Sequence, residues 1–466
     1  MHLIDGQLEG DESSFNVVNP STGHACATCP EASRDQLNRA VVAARRAQPQ
    51  WAATTPTERR ELLCRLAGVL RENQAELAAL ITLEQGKPLA RALDEVQRAA
   101  AQIERLTSIV LEKELLRNDS TGRVELHFRP LGVVGAITPW NMPIVLAVPK
   151  ITHALYTGNT IVLKPSPYTP LATLRLGELA RYVFPRGVLN VLAGGNEFGQ
   201  WMSEHTGLDK ISFTGSVATG KRVMASAAVN LKRLTLELGG NDAAIVLDDA
   251  DLKTAIPKIF AAAFANSGQV CMAIKRLYVQ DKVYEQVCHA LAELAGSARV
   301  GDGFEPDVQF GPVQNRPQYE IVKGILEDVA RDRARILAGG HALDRAGYFI
   351  APTVVADITE GTRLVDEEPF GPVLPILRFK EVEDAVRRAN DTCFGLGGSV
   401  WSRDIDRAAS IAARLEAGVS WVNHHTGADA LVPFGGAKES GIGREYGKEG
   451  LRQYMETVSV FIPPDR

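Results

Sequence analysis

Cys271 closes the stretch Asn266-Ser-Gly-Gln-Val-Cys, and upstream of it Glu237 stands in the apolar run Leu234-Thr-Leu-Glu-Leu. A thiol in a glycine-containing turn flanked by small and polar residues is open to substrate, and its thiolate is a strong nucleophile. A carboxylate set among leucines is pushed toward a raised pKa, because burial disfavours its charge, and that suits a base working near neutrality. The two read as a nucleophile and its base. On these residues alone a second reading stands beside it: a small buried cysteine and a buried glutamate. The elements that position them must decide.

At 466 residues the chain exceeds what one hydrophobic core usually serves, so two or three domains are expected. A hydrophobic fraction of 45% and a charged fraction of 23% are those of a soluble globular protein. The net charge of −5 offers no basic stripe for a phosphate backbone, which argues against a nucleic-acid partner and leaves small molecules as the default ligand. The N-terminus, Met1-His-Leu-Ile-Asp-Gly-Gln-Leu-Glu-Gly, has early acids and no apolar core of a signal peptide, so a cytoplasmic location is expected. The uncharged stretch from Leu131 to Pro149 is interrupted by Pro139, Asn141 and Pro143, and reads as a buried strand, a turn and a helix start, with no membrane span expected. The six cysteines fit a reducing compartment, and Cys26-Ala-Thr-Cys29 lacks the second pair that a zinc site needs.

Hydrophobic period makes the first third helical. Ser33-Arg-Asp-Gln36 and Thr55-Pro-Thr-Glu58 are capping boxes, and the second opens a run with Leu62, Leu63, Leu66, Val69 and Leu70 on one face. A further helical run reaches about Glu114, with Leu93, Val96, Ile103 and Leu106 at helical spacing. From Leu131 short apolar runs alternate with helical ones: 131–137, 159–163, 187–192, 210–213 and 231–238 read as strands of a parallel sheet. A second set follows at 243–247, 276–280, 395–401 and 419–423, implying two α/β domains. In such sheets ligands sit at the carboxyl ends of the strands.

The motifs fall at those ends. Thr138-Pro-Trp-Asn-Met-Pro143, Lys164-Pro-Ser-Pro167, Phe213-Thr-Gly-Ser-Val-Ala-Thr-Gly220, Glu237-Leu-Gly-Gly240, Gly268-Gln-Val-Cys271, Glu367-Glu-Pro-Phe-Gly-Pro372 and Pro433-Phe-Gly-Gly-Ala-Lys-Glu-Ser-Gly-Ile-Gly443 resemble, in order and spacing, the aldehyde dehydrogenase superfamily over nearly the whole chain. The resemblance implies a Rossmann-type parallel-sheet NAD(P)-binding domain (1–111 and 131–238), an α/β catalytic domain (239–440), and a small β oligomerisation arm (112–130 and 447–466). It implies an oxidoreductase that converts an aldehyde to its acid with NAD+ or NADP+.

By the same resemblance Cys271 is the nucleophile that forms a thiohemiacetal and then a thioester, Glu237 activates the water that cleaves it, and Asn141 stabilises the oxyanion. Gly215 and Ser216 open a helix whose N–H groups suit a pyrophosphate, and Gly220 lets it pack closely. Lys164 meets the adenosine ribose, Glu368 the nicotinamide ribose, and Trp140 and Phe370 flank the cofactor. NAD-preferring relatives commonly carry Glu where Pro167 stands, so the sequence leaves NAD+ and NADP+ both open. The nearer rival is a CoA-acylating relative, against which Glu237 argues; the farther is a non-catalytic binding member, against which Cys271, Glu237 and Asn141 argue together.

The pocket positions implied are Met142, Val145, Leu146, Pro149, Val270, Met272, Ala428 and Phe434. They are mostly apolar and favour a medium-sized aliphatic or aromatic aldehyde over a dicarboxylic semialdehyde, which would want a cation; His424 and His425 offer some polarity. Pro149, where relatives often carry a bulky aromatic, suggests a roomier entrance. Thr121 to Phe128 and Thr457 to Ile462 alternate as edge strands do, and the family's arms imply a homodimer or a homotetramer.

Overall fold

The computed structural model describes residues 1–332, 334–425 and 427–464. Positions 333 and 426 of the expected catalytic domain and 465–466 of the expected arm lie outside the described residues.

The fold is α/β. Its first sheet has eight strands in the order Gly441–Ile442, Arg233–Glu237, Lys210–Thr214, Val133–Ile137, Thr160–Lys164, Leu189–Val191, His2–Ile4 and Gln7–Glu9. The central strands run parallel, while Gly441–Ile442 closes one side and His2–Ile4 the other antiparallel. Val133–Ile137 and Thr160–Lys164 are buried throughout, which explains their unbroken apolar composition. The segment from Leu131 to Pro149 forms the expected strand, a turn, and the start of the buried helix Pro143–Tyr156.

The second sheet has seven strands in the order Arg335–Ala338, Thr353–Ala356, Val373–Phe379, Ile274–Gln280, Asp242–Val246, Gly397–Trp401 and Val419–Val422. Only its first pair is antiparallel. A three-stranded antiparallel sheet of Met455–Ile462, Gly122–Pro130 and Glu114–Asp119 stands apart, paired in full register from Met455↔Pro130 to Ile462↔Arg123. Met455–Ile462 is an edge of that sheet, and Phe461 on it is 73% exposed.

Both capping boxes form: Ser33 Oγ accepts the Gln36 N–H while Gln36 Oε1 accepts the Ser33 N–H, and Thr55 and Glu58 do the same. One expectation fails. The first thirty residues are not helical but hold four strands, including the hairpin Ser14–Asn19 and His24–Pro30. Cys26 and Cys29 sit on that hairpin as free thiols.

The helix Leu89–Leu106 has two faces that matter below. Ala92, Glu95, Val96, Ala99, Ala100, Ile103 and Leu106 are buried. Arg98, Ala101, Gln102 and Arg105, spaced i, i+3, i+4 and i+7, form a separate stripe.

Candidate active site

The turn before Cys271 is strained and tied down at every polar side chain. Asn266 and Ser267 both lie in the left-handed region, with φ of 51° and 57°, a conformation that costs non-glycine residues about 1 kcal/mol or more each. Asn266 Nδ2 donates to Asn141 O at 3.0 Å, Ser267 Oγ to Gly311 O at 2.8 Å, and Gln269 Nε2 to Asn266 O at 2.8 Å. Gly268 has φ +73°, and a Cβ there would fall 2.0 Å from Gly371 O, so only glycine fits. The following residues present Cys271, half-buried, at the meeting of the two sheets.

Burial pushes the Cys271 thiol up to about 12, Lys275 opposes that, and the charge of Glu237 adds to it. Lys275 heads the strand Ile274–Gln280 and is buried. Its Nζ donates to Val270 O at 2.8 Å and Cys271 O at 2.5 Å, and pairs with Glu368 Oε1 at 3.1 Å. One ammonium thus ties the Cys271 backbone and the Glu368 carboxylate together. Burial raises Glu368, against the pull of Lys275.

Asn141 follows the strand Val133–Ile137 and is buried. Its Nδ2 donates to Gln269 O at 3.0 Å, and its Oδ1 has no partner among the described residues. A buried ion pair holds its backbone. Lys87 Nζ bonds Glu95 Oε2 at 2.5 Å and Asn141 O at 3.0 Å, while Glu95 Oε1 accepts the Ile144 and Val145 N–H groups opening the next helix. A carboxylate suits that helix terminus, where N–H groups lack intrahelical acceptors.

Glu237 ends the strand Arg233–Glu237, and its Oε1 is buried without a hydrogen-bond partner among the described residues. Burial and then the nearby Glu445 raise its pKa well above the ordinary carboxylate value, with Lys150 and Arg444 opposing. Burial acts on Glu445 too, but Lys150 and His153 overcome it and hold Glu445 low. Lys150 bonds Glu445 and donates to Ser212 Oγ at 2.9 Å. Of the two carboxylates, Glu237 is the one pushed up and Glu445 the one held low.

On the other side of the nucleophile, the residues present fit a dinucleotide. Lys164 is buried, bonds Pro165 O at 3.2 Å, and is lowered by burial to about 8, against the charge of Glu31. Glu31 in turn accepts the Gly195 N–H at 3.1 Å. The helix Val217–Ala227 begins just after Gly215, with Ser216 as its cap, and Thr214 Oγ1 beside it is buried with no partner among the described residues. A Cβ on Gly220 would lie 2.5 Å from Leu238, so glycine lets this helix approach the sheet. A Cβ on Gly239 would lie 2.2 Å from Glu368 Oε2, so the bare backbone makes room for that carboxylate. Trp140 and Phe370 meet edge-on at 5.3 Å.

Beside Cys271 opens a cavity of about 580 Å³, lined by Met142, Val145, Leu146, Val270, Met272 and Ala428 among others. Two pocket candidates sit elsewhere. Phe434 lies behind the wall against Tyr446, which does line the cavity, and Pro149 is buried inside the helix Pro143–Tyr156. His424 and His425 both line it; His424 is exposed, and His425 is buried between Ser399 Oγ at 3.0 Å and Met272 O at 2.8 Å. The sequence reading missed Arg98, Arg105 and Lys258 on the same wall.

It also missed Lys275, Lys150, Glu445, Lys87 and Glu95. A signal existed for Glu95, which occupies an apolar-face position of its helix, and for Lys150, which follows directly on the uncharged stretch ending at Pro149. A charge at a core position is rare without a partner. Lys275 carried only its nearness to Cys271.

A cleft whose residues fit a dinucleotide lies beside a thiol, and that arrangement suits an oxidoreductase. Residues 8–460 match the model of the aldehyde dehydrogenase family, and the chain belongs to that family. It is 36% identical over 463 residues to an aldehyde dehydrogenase of a Fusarium species, covering 99% of this chain and 98% of that one. It is 42% identical over 336 residues to retinaldehyde dehydrogenase 3 of Homo sapiens, covering 72% and 66%. The structure of an aldehyde dehydrogenase from Bacillus cereus in complex with NAD+ superposes with a TM-score of 0.97 at 37% identity, covering 100% and 96%. The protein is therefore an oxidoreductase, and the family's general reaction is the oxidation of aldehydes to acids.

Proposed function

We propose that this chain oxidises an aldehyde through a covalent bond to Cys271 and releases the acid by Glu237-assisted hydrolysis. Cys271 Sγ, once deprotonated, attacks the aldehyde carbon. Asn141 Nδ2 carries two hydrogens, of which one goes to Gln269 O, leaving the other for the oxyanion together with the Cys271 N–H. A bound nicotinamide supplies the hydride acceptor. What remains on Cys271 is a thioester; Glu237 takes a proton from water, the hydroxide adds to the acyl carbon, and the acid leaves as the thiol reforms. Lys164, Gly215, Ser216, Gly220, Glu368, Trp140 and Phe370 would hold the cofactor.

The observation that carries this reading is the unpartnered Oε1 of buried Glu237, kept high in pKa and close enough for its charge to act on Cys271. A CoA-acylating enzyme would leave that base without a task. The cofactor is NAD+ or NADP+; Pro167 offers no carboxylate, and Glu31 is the acid whose charge reaches Lys164. The exposed edge of Met455–Ile462 supports a homodimer or a homotetramer, and the free cysteines support a reducing, cytoplasmic setting.

The test is an aldehyde panel followed by cofactor reduction in wild type and Cys271→Ala. Reduction by wild type and its loss in the variant are expected. A wild type inert with every aldehyde and both cofactors, or an active variant, contradicts the reading.

A further inference from the structure

The wall of the cavity beside Cys271 changes character with depth. Val145 and Val270 are buried and Met142, Leu146 and Met272 half-buried, so the part nearest Cys271 is mostly apolar; the buried polar side chain there is His425, whose two ring nitrogens are already bonded to Ser399 Oγ and Met272 O. Two helices form the flanks outward from there, each through a stripe at i, i+3, i+4 and i+7. One stripe is Arg98, Ala101, Gln102 and Arg105 on Leu89–Leu106; the other, starting on Leu252–Phe264, is Lys258, Ala261, Ala262 and Ala265. Alanines keep the channel wide; the second stripe starts in Lys258, and the first carries an arginine at each end. Arg98, Arg105 and Lys258 are all exposed.

These cations differ in how far they are already neutralised. Arg105 is paired with Asp429 at 2.6 Å. Among the described residues Arg98 and Lys258 make no ion pair; Lys258 Nζ has only the Asn423 carbonyl at 3.3 Å. No aspartate or glutamate is among the described residues that line the cavity. The mouth therefore carries a net positive field above an apolar channel, and a field of one sign at a cleft mouth favours ligands of the other.

We propose that the preferred substrate is an aldehyde with an apolar body and an anionic group at its far end, the anion lying between Arg98 and Lys258. This rests on the aldehyde-oxidising reading above and names the substrate class for it. A charge buried beside Met142 and Val270 would be left without partners, whereas one at the mouth keeps its water and meets two cations. The body must span the apolar stretch. The shortest ω-oxo acids should therefore gain least from their charge.

The test uses straight-chain ω-oxo carboxylates of increasing length, each against its own methyl ester, with kcat/KM measured at low and high salt. The ratio of acid to ester is expected to rise with length to about tenfold and to shrink at high salt, since exposed charge pairs are individually weak and screened. The difference should lie in KM, because the anion is remote from the reacting atoms. In Arg98→Glu with Lys258→Glu the ratio should invert toward the ester; Arg98→Lys should keep most of it. Esters turned over as well as or better than the acids at every length, or a ratio unmoved by the charge reversals, overturn the proposal while leaving aldehyde oxidation standing. Failure of every acid and every ester to reduce cofactor instead defeats the underlying functional reading.

Discussion

Behind Cys271 the backbone is held by a dense set of side-chain bonds: Lys275 joins Val270, Cys271 and Glu368, Gln269 bridges Asn266 and Gln314, and Lys87 with Glu95 clamps Asn141, while Asn141 Oδ1, Thr214 Oγ1 and Glu237 Oε1 have no partner among the described residues. Around the cavity beside it the wall is mostly alanine, valine, leucine and methionine, with Gln102, His424, His425 and Tyr446 as its uncharged polar members and Arg98, Arg105 and Lys258 as its cations. The first arrangement tolerates no change of shape, since a buried charge that loses its partner becomes a large penalty. The second can change size or charge residue by residue while the reacting groups stay fixed. In the proposed function, reaction and substrate choice thus fall to different surroundings of one thiol.

Breaking the dense side should cost most. Glu95→Ala strips Lys87 of its partner and frees two helix N–H groups, and is expected to destabilise the protein by about 3–5 kcal/mol in denaturant melts. A loss under 1 kcal/mol would mean the pair does not hold the site. Lys275→Met should lower kcat/KM by about 100-fold, on the order of 3 kcal/mol, by releasing both the Cys271 carbonyl and Glu368. Measured cofactor KM should rise along with it, and an unchanged cofactor KM would separate Lys275 from Glu368.

Changes on the open side should be smaller and selective. Ala262→Phe, which fills the channel, is expected to raise KM for long aldehydes about tenfold while short ones keep their rates; equal losses for both would show that this wall is not a substrate surface. Glu31→Gln should move the NADP+ to NAD+ preference a few-fold toward NADP+, read from kcat/KM for each, because it removes the negative charge near Lys164.

The pH dependence follows from Glu237. Its folded pKa is raised, so its protonated form is favoured on folding and the base appears only as pH climbs above the ordinary value of 4.5. Hydrolysis of the acyl-enzyme should therefore speed up with rising pH through that raised pKa. The stability that comes from holding the neutral acid is present below 4.5 and lost as pH passes the raised value. Glu237→Gln should gain in thermal stability over wild type toward alkaline pH, and a gain confined to acid would reverse the sign.

The first parallel sheet was legible in the sequence because buried strands such as Val133–Ile137 and Thr160–Lys164 are short, largely apolar runs between helices, whereas Thr353–Ala356 and Val373–Phe379 of the second sheet were not read. The four N-terminal strands were not, since strands like Gln7–Glu9 and His24–Pro30 are largely uncovered and lack that signature. Cys271, Glu237 and Asn141 stood out through motifs of neighbouring residues. Lys275, Lys150 and Glu445 act through partners far away in sequence: Lys150 and Glu445 are 295 residues apart yet share a bond. Such pairs exist only after folding, and so does the cationic mouth, whose two stripes come from helices far apart in sequence, Leu89–Leu106 and Leu252–Phe264.

The central claim is that Cys271 and Glu237 act in succession, one to bond the substrate and the other to free it. Mass spectrometry of Glu237→Gln mixed with an aldehyde substrate and the cofactor it uses tests this directly. The account predicts one burst of reduced cofactor and an acyl adduct on the peptide that carries Cys271, with little acid released. Steady acid release at the wild-type rate, or a burst with no adduct on Cys271, would contradict it.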